Sequence, residues 1–435
     1  MVTAEVPQSD KRTLRKLMAA GLVGSSIEWY DFFIYATASA LVFGKLFFPN
    51  ASPLVGTLLA FSTFWAGFIA RPLGGLVFGH VGDRFGRKPA LVICLALMAS
   101  ATFLIGLMPT TASIGAAAPV LLVLLRFLQG IAVGGQWGGV VLLLTETAGS
   151  DRRGFAGTFG QAGVPIGVIL GNVAFLGAST SMDSQQFLSW GWRIPFLASA
   201  LLFPVVLFIQ LKVEDSPVFR ELQRQRAADP NATAHAPLKE ALRSHRRAVL
   251  LGSGLLFASN AIFYVSIAGV LDYATRELHI ARNSVLVISL LSSVLSVPVI
   301  IFAGRLSDRI GRRPLVIAGA TALALWAFPF FWLIDTRSLG LIFLAVTLGG
   351  IASSVVYGPV AAFLSELFEA RVRYSGASLA YQLASILVSG GTPFIMAALL
   401  EATGSSAAVS GFLLLMALIT LASGLGLPET RTSRT

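Results

Sequence analysis

Charged residues are scarce in this sequence, since only 12% of its 435 residues are Asp, Glu, Lys or Arg. A soluble globular domain carries about 25%, so the chain has too few charges to cover the surface of a soluble protein of this length. Hydrophobic residues make up 55%, which excludes an intrinsically disordered chain. The one cysteine, Cys94, excludes an intramolecular disulfide. The composition therefore predicts an integral membrane protein.

Motifs for nucleotide hydrolysis and for metal binding are also missing. The sequence has no G-x-x-x-x-G-K-[ST] motif, so ATP is not expected to supply energy. Its four histidines do not have the spacing of metal ligands. A net charge of +11 would suggest a nucleic-acid partner for a soluble protein, but the basic residues form short clusters between apolar stretches, as membrane topology requires. We therefore expect no nucleic-acid partner, no metal and no cofactor.

Twelve apolar stretches are long enough to cross a bilayer, which requires about 20 residues in a helix. We predict spans 1 to 12 at 18–46, 54–80, 89–108, 118–145, 156–178, 189–212, 247–273, 284–304, 314–334, 339–365, 375–400 and 405–427. The predicted organisation has five parts: a cytoplasmic amino terminus (1–16), a six-helix bundle (17–212), a polar cytoplasmic linker (213–246), a second six-helix bundle (247–427) and a cytoplasmic tail (428–435).

The basic residues predict the orientation of the chain. With the amino terminus inside, 25 of the 32 Lys and Arg lie in cytoplasmic segments and five lie in external ones. The remaining two, Arg71 and Arg126, fall within spans. This asymmetry places both termini in the cytoplasm of a multi-pass cell-membrane protein.

The two halves of the chain repeat a loop motif. The sequence GHVGDRFGRK at 79–88 follows span 2, and GRLSDRIGRR at 304–313 follows span 8, at an offset of 225 residues. A second repeat relates Glu146, at the end of span 4, to Glu366, at the end of span 10. These offsets predict two pseudo-symmetric bundles that arose by duplication of a six-helix unit.

The repeated loop predicts a cytoplasmic gate. Asp83 can accept hydrogen bonds at the amino-terminal end of a neighbouring helix, and Arg84 and Arg87 can pair with Glu146. The second copy of the gate would contain Asp308, Arg309, Arg312 and Glu366. The alternative is an ordinary basic turn with a topological role alone.

The two loop motifs at 79–88 and 304–313 resemble those of the major facilitator superfamily, and so does Arg126-x-x-Gln129-Gly130 in span 4. A closer resemblance, to the metabolite:proton symporters and nearest to their shikimate-type branch, is carried by IEWYDF (27–32), RPLG (71–74), RFLQGIAVGGQWGG (126–139), WGWRIPF (190–196), EDSPVF (214–219) and SELFEARVRYSGASLAYQLAS (365–385). The resemblance implies an all-helical fold of twelve spans in two bundles, with spans 1, 4, 7 and 10 around a central cavity. It also implies proton-coupled import of a small organic acid by alternating access, and no enzymatic activity.

Ionisable side chains inside a membrane span are costly and therefore indicate a functional site. Glu28, Asp31 and Tyr35 share one face of span 1, and Asp31 near its middle is the predicted proton acceptor, with Glu28 as a further candidate. Arg126 presents a fork suited to a carboxylate, which either Asp31 or an acidic substrate can occupy. The alternative is a structural ion pair between spans 1 and 4.

The predicted substrate-binding residues are polar or aromatic side chains on spans expected near the cavity: Arg126, Gln129, Gln136, Trp137, Tyr35, Asn260, Tyr264, Tyr357, Tyr381 and Gln382. Gln136 stands where the resembling family usually has Glu. An uncharged residue there favours an organic monoanion, with hydroxyl groups that Tyr and Asn can bind. Arg71, which precedes Pro72 in span 2, is predicted to be structural.

Other functions remain open at this point. The same fold can act as a facilitator, an anion exchanger or an exporter, or as a symporter of betaine or proline. A membrane enzyme that uses Glu28 and Asp31 as an acid pair would need an extramembrane substrate loop that the sequence does not provide. The expected partners are an organic anion and the lipid bilayer, and the chain is expected to act as a monomer.

Overall fold

The computed structural model describes residues 11–85, 87–134, 136–149, 151–201, 204, 245–369 and 372–431. Side chains are described for these residues except at 11–13, 79–92, 95, 136–140 and 143. All regular structure in this part of the chain is helical.

Eleven of the predicted spans correspond to helices. Their bounds are Lys11–Ala38 continuing through Gly44–Phe47 for span 1, Pro53–Phe85 for span 2, Arg87–Leu107 for span 3, Ala117–Val133 and Gln136–Thr147 for span 4, Arg153–Thr180 for span 5, Arg246–Arg276 for span 7, Arg282–Ile310 for span 8, Arg312–Asp335 for span 9, Leu339–Glu366 for span 10, Arg373–Thr403 for span 11 and Ser406–Gly426 for span 12. The predicted span 6 is helical at 194–201. It is preceded by a 3-10 turn at Gly191–Arg193, while residues 202, 203 and 205–244, which include the rest of span 6 and most of the predicted linker, lie outside the described residues.

Eight of these helices are long and apolar enough to cross a membrane by length and composition alone. They are spans 2, 5 and 7 to 12, while the apolar helical parts of spans 3 and 4 are shorter, at Ala96–Leu107 and Ala117–Val133. Each helix satisfies its own backbone hydrogen bonds, which is the condition for crossing a bilayer.

Three spans contain a π-helical turn, at Ser39–Phe43, Val265–Gly269 and Ser385–Ser389. The first two lie in spans 1 and 7 and begin 226 residues apart, close to the offset of the repeated loop motif. Such turns are rare in proteins, and those that occur are frequently found at functional sites. The first two irregularities therefore occur at equivalent places in the two halves.

Small residues allow close helix packing inside the first half, where span 1 packs on span 5 and span 2 packs on span 4. A Cβ atom added to Gly74 would lie 1.9 Å from the carbonyl oxygen of Ile131, and one added to Gly130 would lie 2.0 Å from that of Gly67. Spans 2 and 4 therefore cross with their backbones in contact, as small residues permit in membranes.

Span 5 packs against spans 8 and 10, and span 2 packs against span 11. These contacts join the first half to the second. At the external end Thr57 Oγ1 lies 3.3 Å from Asp272 Oδ1, and Ser179 Oγ lies 2.7 Å from Asn283 Oδ1. At the cytoplasmic end the backbone N–H of Gly154 donates to Asp308. The halves thus contact each other at both ends of the molecule.

Candidate functional site

A cavity lies between the two halves, and most of its wall comes from spans 7, 8, 10 and 11. The first half contributes Trp29, Val164 and Pro165. The cavity has a volume of about 60 Å³, which is room for a few waters. None of the residues that line it is charged.

Nine serines line this cavity: Ser259, Ser266, Ser289, Ser292, Ser293, Ser296, Ser353, Ser354 and Ser389. Several of them donate to a carbonyl one turn earlier in their own helix, as Ser266 does at 2.7 Å, Ser293 at 2.8 Å and Ser354 at 2.7 Å. A hydroxyl has one hydrogen and two lone pairs, so these oxygens retain capacity to accept. The serine wall therefore suits a solute that carries hydroxyl donors.

Sequence reasoning missed the serines, although one signal was present. In span 8 the positions 289, 292, 293 and 296 follow helical spacing and share a face. In a membrane helix such a stripe also fits close helix packing, and only the structure places it on a cavity.

The predicted substrate-binding residues divide into three groups. Asn260, Tyr264, Tyr357 and Tyr381 line the cavity. The side chains of Arg126, Gln129, Tyr35 and Gln382 do not belong to its lining. The side chains of Gln136 and Trp137 lie outside the described part of the chain.

Arg71 lies next to the cavity wall, where the ring of Trp29 belongs to the lining. The guanidinium carbon of Arg71 lies 4.3 Å from the centre of the Phe68 ring and 5.6 Å from that of Trp29. The side chain is buried, and its Nε and Nη2 atoms have no hydrogen-bond partner among the described residues.

Asp31 and Arg126 are connected through two intervening side chains. Arg126 Nη1 donates to Gln129 Oε1 at 3.0 Å, and Gln129 Nε2 donates to Thr102 Oγ1 at 2.7 Å. Thr102 donates its hydroxyl hydrogen to the carbonyl oxygen of Met98 at 2.9 Å and lies next to the Asp31 carboxyl. We call this arrangement of Asp31, Thr102, Gln129 and Arg126 the span 1–4 relay. Within the described residues neither Asp31 nor Arg126 forms an ion pair.

Aromatic rings separate Arg126 from the cavity. Its guanidinium carbon lies 4.1 Å from the Phe32 ring centre, 4.2 Å from Tyr35 and 4.9 Å from Phe64. Contact with ring faces stabilises a desolvated cation. Tyr35 is held in place by a 2.7 Å hydrogen bond with Thr63. This enclosure explains why span 4 contributes no described residue to the cavity lining.

The remaining predicted coupling residue, Glu28, is half-buried on span 1. Its carboxyl lies within electrostatic reach of Arg71, but the two do not form an ion pair in the structure. Span 1 therefore carries Asp31, which belongs to the span 1–4 relay, and Glu28, which lies close to Arg71.

The second copy of the predicted gate joins the two halves. Asp308 accepts from the backbone N–H groups of Gly154 and Phe155, both at 2.8 Å, at the first turn of span 5. Arg312 lies 2.7 Å from Asp308 and 3.2 Å from Glu366. The exposed Arg309 contributes only its backbone carbonyl, which accepts from Arg431, because adjacent helical residues point about 100° apart.

The first copy of the gate is only partly described. The side chains of Asp83, Arg84 and Arg87 lie outside the described part of the chain. Glu146 lies 3.5 Å from Arg373 at the start of span 11. This contact also joins the two halves.

The carboxyl-terminal tail contributes to the second gate, which the sequence did not predict. The Glu429 carboxylate accepts from the backbone N–H groups of Arg312 and Arg313, both at 3.0 Å, and so caps the start of span 9. Thr430 Oγ1 donates to Glu366 Oε2 at 2.7 Å. The tail therefore fixes the cytoplasmic ends of spans 9 and 10 together.

Comparison with known proteins agrees with this architecture. The chain matches the Major Facilitator Superfamily over residues 21–389 and 249–434. It is 40% identical to the inner membrane metabolite transport protein YhjE of Escherichia coli over 424 residues, which cover 96% of this chain and 94% of that protein. It is 41% identical to the shikimate transporter of Escherichia coli over 387 residues, which cover 89% and 88% of the two chains.

A solved structure shares the fold. The xylose transporter XylE from Escherichia coli, in a partially occluded inward open conformation, superposes with a TM-score of 0.75 at 20% identity, covering 98% of this chain and 100% of that chain. The predicted fold class, an all-helical membrane protein with twelve spans in two bundles, is thereby confirmed, as are its multi-pass location in the cell membrane and its assignment as a transporter of metabolites rather than an enzyme. The chain belongs to the major facilitator superfamily.

Proposed function

We propose that this protein is a proton-coupled symporter that imports a small hydroxylated organic acid by alternating access. The observation that carries the proposal is the span 1–4 relay, in which a buried carboxyl and a buried arginine form no ion pair and are separated by the hydrogen-bonded side chains of Gln129 and Thr102. Ionisable groups at this depth are costly and are associated with proton pathways in transporters.

Proton coupling is assigned to Asp31. The carboxyl is 4% exposed, and its Oδ1 atom has no hydrogen-bond partner among the described residues, so it has room for a proton. A change in its charge would alter its interaction with Thr102 and, through Gln129, the position of Arg126. Such a change biases the equilibrium between two conformations if the relay is arranged differently in each of them.

The substrate class follows from the serine wall and from the relatives. Serine hydroxyls of the wall donate to backbone carbonyls, which leaves their lone pairs to accept from a solute, and the tyrosines and Asn260 supply further polar groups. The relatives include a shikimate transporter at 41% identity, and shikimate is a hydroxylated ring carboxylate, but also a proline/betaine transporter at 35%. The serine wall therefore carries the choice, because it favours a hydroxylated acid over a betaine, which has no hydroxyl donor.

Uptake into proteoliposomes tests the proposal. The panel contains shikimate, α-ketoglutarate, citrate, proline and glycine betaine, each with and without an inward proton gradient. We expect accumulation of a hydroxylated acid that a protonophore abolishes. Gradient-independent equilibration of the same acid would instead indicate a facilitator, and exchange only against an internal anion would indicate an antiporter.

Asp31→Asn tests the coupling residue. We expect this variant to lose uphill accumulation while it still exchanges labelled substrate across preloaded vesicles. Asp151→Asn is the matched control, because Asp151 is an exposed carboxylate whose pair with Arg152 lies at the surface and is worth about 0–1 kcal/mol. Normal pH-dependent accumulation by Asp31→Asn would remove Asp31 from the mechanism.

A further inference from the structure

The π-helical turn of span 11, Ser385–Ser389, faces span 2 of the first half. In an α-helix the carbonyl oxygen of Ile386 would accept a hydrogen bond from the N–H of Gly390, four residues later. In this turn the N–H of Gly390 donates instead to the carbonyl oxygen of Ser385, at 3.0 Å. The Ile386 carbonyl therefore loses the partner that a regular helix would give it.

Trp65 of span 2 supplies that hydrogen bond from the other half. Its indole Nε1 donates to the Ile386 carbonyl oxygen at 2.8 Å. The ring fits because glycines follow the turn: a Cβ atom added to Gly390 would lie 2.6 Å from Trp65 Cδ1, and one added to Gly391 would lie 3.1 Å from Trp65 Cζ2. Further along span 11, the Phe394 ring lies 5.9 Å from the indole, centre to centre. These contacts hold Trp65 against the turn.

The same turn places Ser389 in the lining of the cavity. Ser389 is 2% exposed, and its hydroxyl forms no hydrogen bond with a described residue. Other serines of the wall, such as Ser266 and Ser293, donate to carbonyls of their own helices. Ser389 therefore retains both its hydrogen and its lone pairs for a solute.

Withdrawal of Trp65 would leave the Ile386 carbonyl without a partner inside the membrane, where such a group is costly. The N–H of Gly390 can replace the indole, and this exchange of partners changes the π turn into α-helix. Successive residues of an α-helix are about 100° apart, so removal of the extra residue rotates one part of span 11 relative to the other by about that angle. Ser389 would then leave the cavity wall.

We propose that Trp65 is a positioning residue for transport, whose hydrogen bond maintains the π turn of span 11 and so holds Ser389 on the cavity wall. Trp65 lies nearer the external end of span 2 than its cytoplasmic end, so opening of the external side separates it from span 11. By linkage, a solute bound to Ser389 stabilises the closed external side. This assignment rests on the proposed function, since it places the substrate in the same cavity.

A double-mutant cycle on the purified full-length protein tests the assignment, with shikimate as the probe and titration calorimetry in detergent as the measurement. Trp65→Phe retains a ring beside Phe394 and removes the indole N–H, whereas Ser389→Ala removes the hydroxyl. Each single variant is expected to weaken shikimate binding by about 3- to 10-fold, as for loss of one hydrogen bond. If Trp65 acts through Ser389, the double variant should bind no more weakly than Ser389→Ala alone.

Trp326→Phe is the matched control. Trp326 of span 9 also donates its indole N–H to a backbone carbonyl, that of Ala345 in span 10, at 3.2 Å, but this bond lies within the second half. The control should bind shikimate as the wild type does.

Hydrogen exchange followed by mass spectrometry tests the turn without any ligand. Exchange in peptides that cover residues 381–392 should be faster in Trp65→Phe than in the wild type, because the turn then interconverts with α-helix. It should be unchanged in Trp326→Phe. Equal exchange in Trp65→Phe and the wild type would show that the indole does not maintain the turn, and would overturn the assignment.

The binding outcomes distinguish this assignment from the proposed function. If the wild type binds shikimate and the double variant loses the product of the two single effects, or Trp65→Phe binds as tightly as the wild type, Trp65 does not act through Ser389 and the proposed function stands. If the wild type binds no shikimate, the substrate class of the proposed function is wrong, and the role of Ser389 falls with it.

Discussion

The side chains between Asp31 and Arg126 determine how the two charges influence each other. A direct ion pair between them would be difficult to break, since removing one partner from a buried pair costs about 3–5 kcal/mol. In this structure Gln129 and Thr102 lie between them. Each hydrogen bond of the relay is therefore weaker than a direct ion pair would be. A relay of this kind can rearrange during a transport cycle without separating two buried charges.

The relay predicts that Gln129 is needed for coupling and dispensable for binding. Gln129→Met keeps the length of the side chain and removes both hydrogen bonds. Because hydrogen bonds to charged groups contribute about 1.5–3 kcal/mol, we expect gradient-driven accumulation in proteoliposomes to fall by about tenfold or more. The affinity of the purified protein for substrate should change little, since Gln129 does not line the cavity.

Gln185→Met serves as the control, because Gln185 is exposed in the external segment after span 5. It should accumulate substrate as the wild type does. Full accumulation by Gln129→Met would show that Asp31 and Arg126 act independently of the relay.

At the scale of helices, the gates are helix caps made between the two halves. Asp308 at the end of span 8 accepts from the first turn of span 5, where backbone N–H groups lack partners within the helix. The pseudo-symmetry of the loop motif relates Asp308 to Asp83, and span 5 to span 11. By symmetry we expect Asp83 to cap the start of span 11.

Asp308→Ala should remove the cap and shift the conformational equilibrium. Loss of a helix cap costs about 0.5–2 kcal/mol, which corresponds to a change of roughly 2- to 30-fold in the equilibrium between the two states. We expect an altered transport rate with nearly unchanged substrate affinity in detergent. Asp183→Ala is the matched control, because Asp183 caps the short helix Ser184–Ser189 within one half. Equal effects of the two variants on transport would contradict the role of Asp308 as a gate.

The tail predicts a coupled effect at the same gate. Glu429→Gln replaces the carboxylate that caps the start of span 9, so the apparent melting temperature in detergent should fall. Because Glu429 and Asp308 both contact Arg312, the double variant should lose less stability than the sum of the single losses, by about 0.5–3 kcal/mol. Strict additivity would mean that the tail and the gate are independent.

At the scale of the whole molecule, hydropathy and basic residues predicted the helices, the fold class and the membrane location, because the bilayer demands long apolar helices with positive ends inside. The cavity was harder to predict. The hydrogen bond from Trp65 to the Ile386 carbonyl joins spans 2 and 11, and no local pattern connects residues so distant in the chain. The serines of span 8 fit a packing stripe as well as a binding wall. Arg126 carried the stronger motif, yet aromatic rings enclose it.

Alternating access requires that the external ends of the two halves separate during each cycle. Ser179 in span 5 and Asn283 in span 8 are in contact there, at 2.7 Å. Their replacement by cysteines in a Cys94→Ser background should therefore permit a disulfide, which needs Cα atoms about 4.4–6.8 Å apart. We expect oxidation to stop transport of every substrate of the panel, and a reductant to restore it.

The control pair lies within one half. Ser406 donates to Asp335 at the external ends of spans 12 and 9, with side chains of the same lengths as in the first pair. A disulfide between cysteines at these positions would leave the two halves free to move relative to each other, so transport should continue after oxidation. If cross-linking at 179 and 283 is complete and transport persists at the wild-type rate, spans 5 and 8 do not separate at their external ends, and substrate reaches the cavity without a rocking motion of the two bundles.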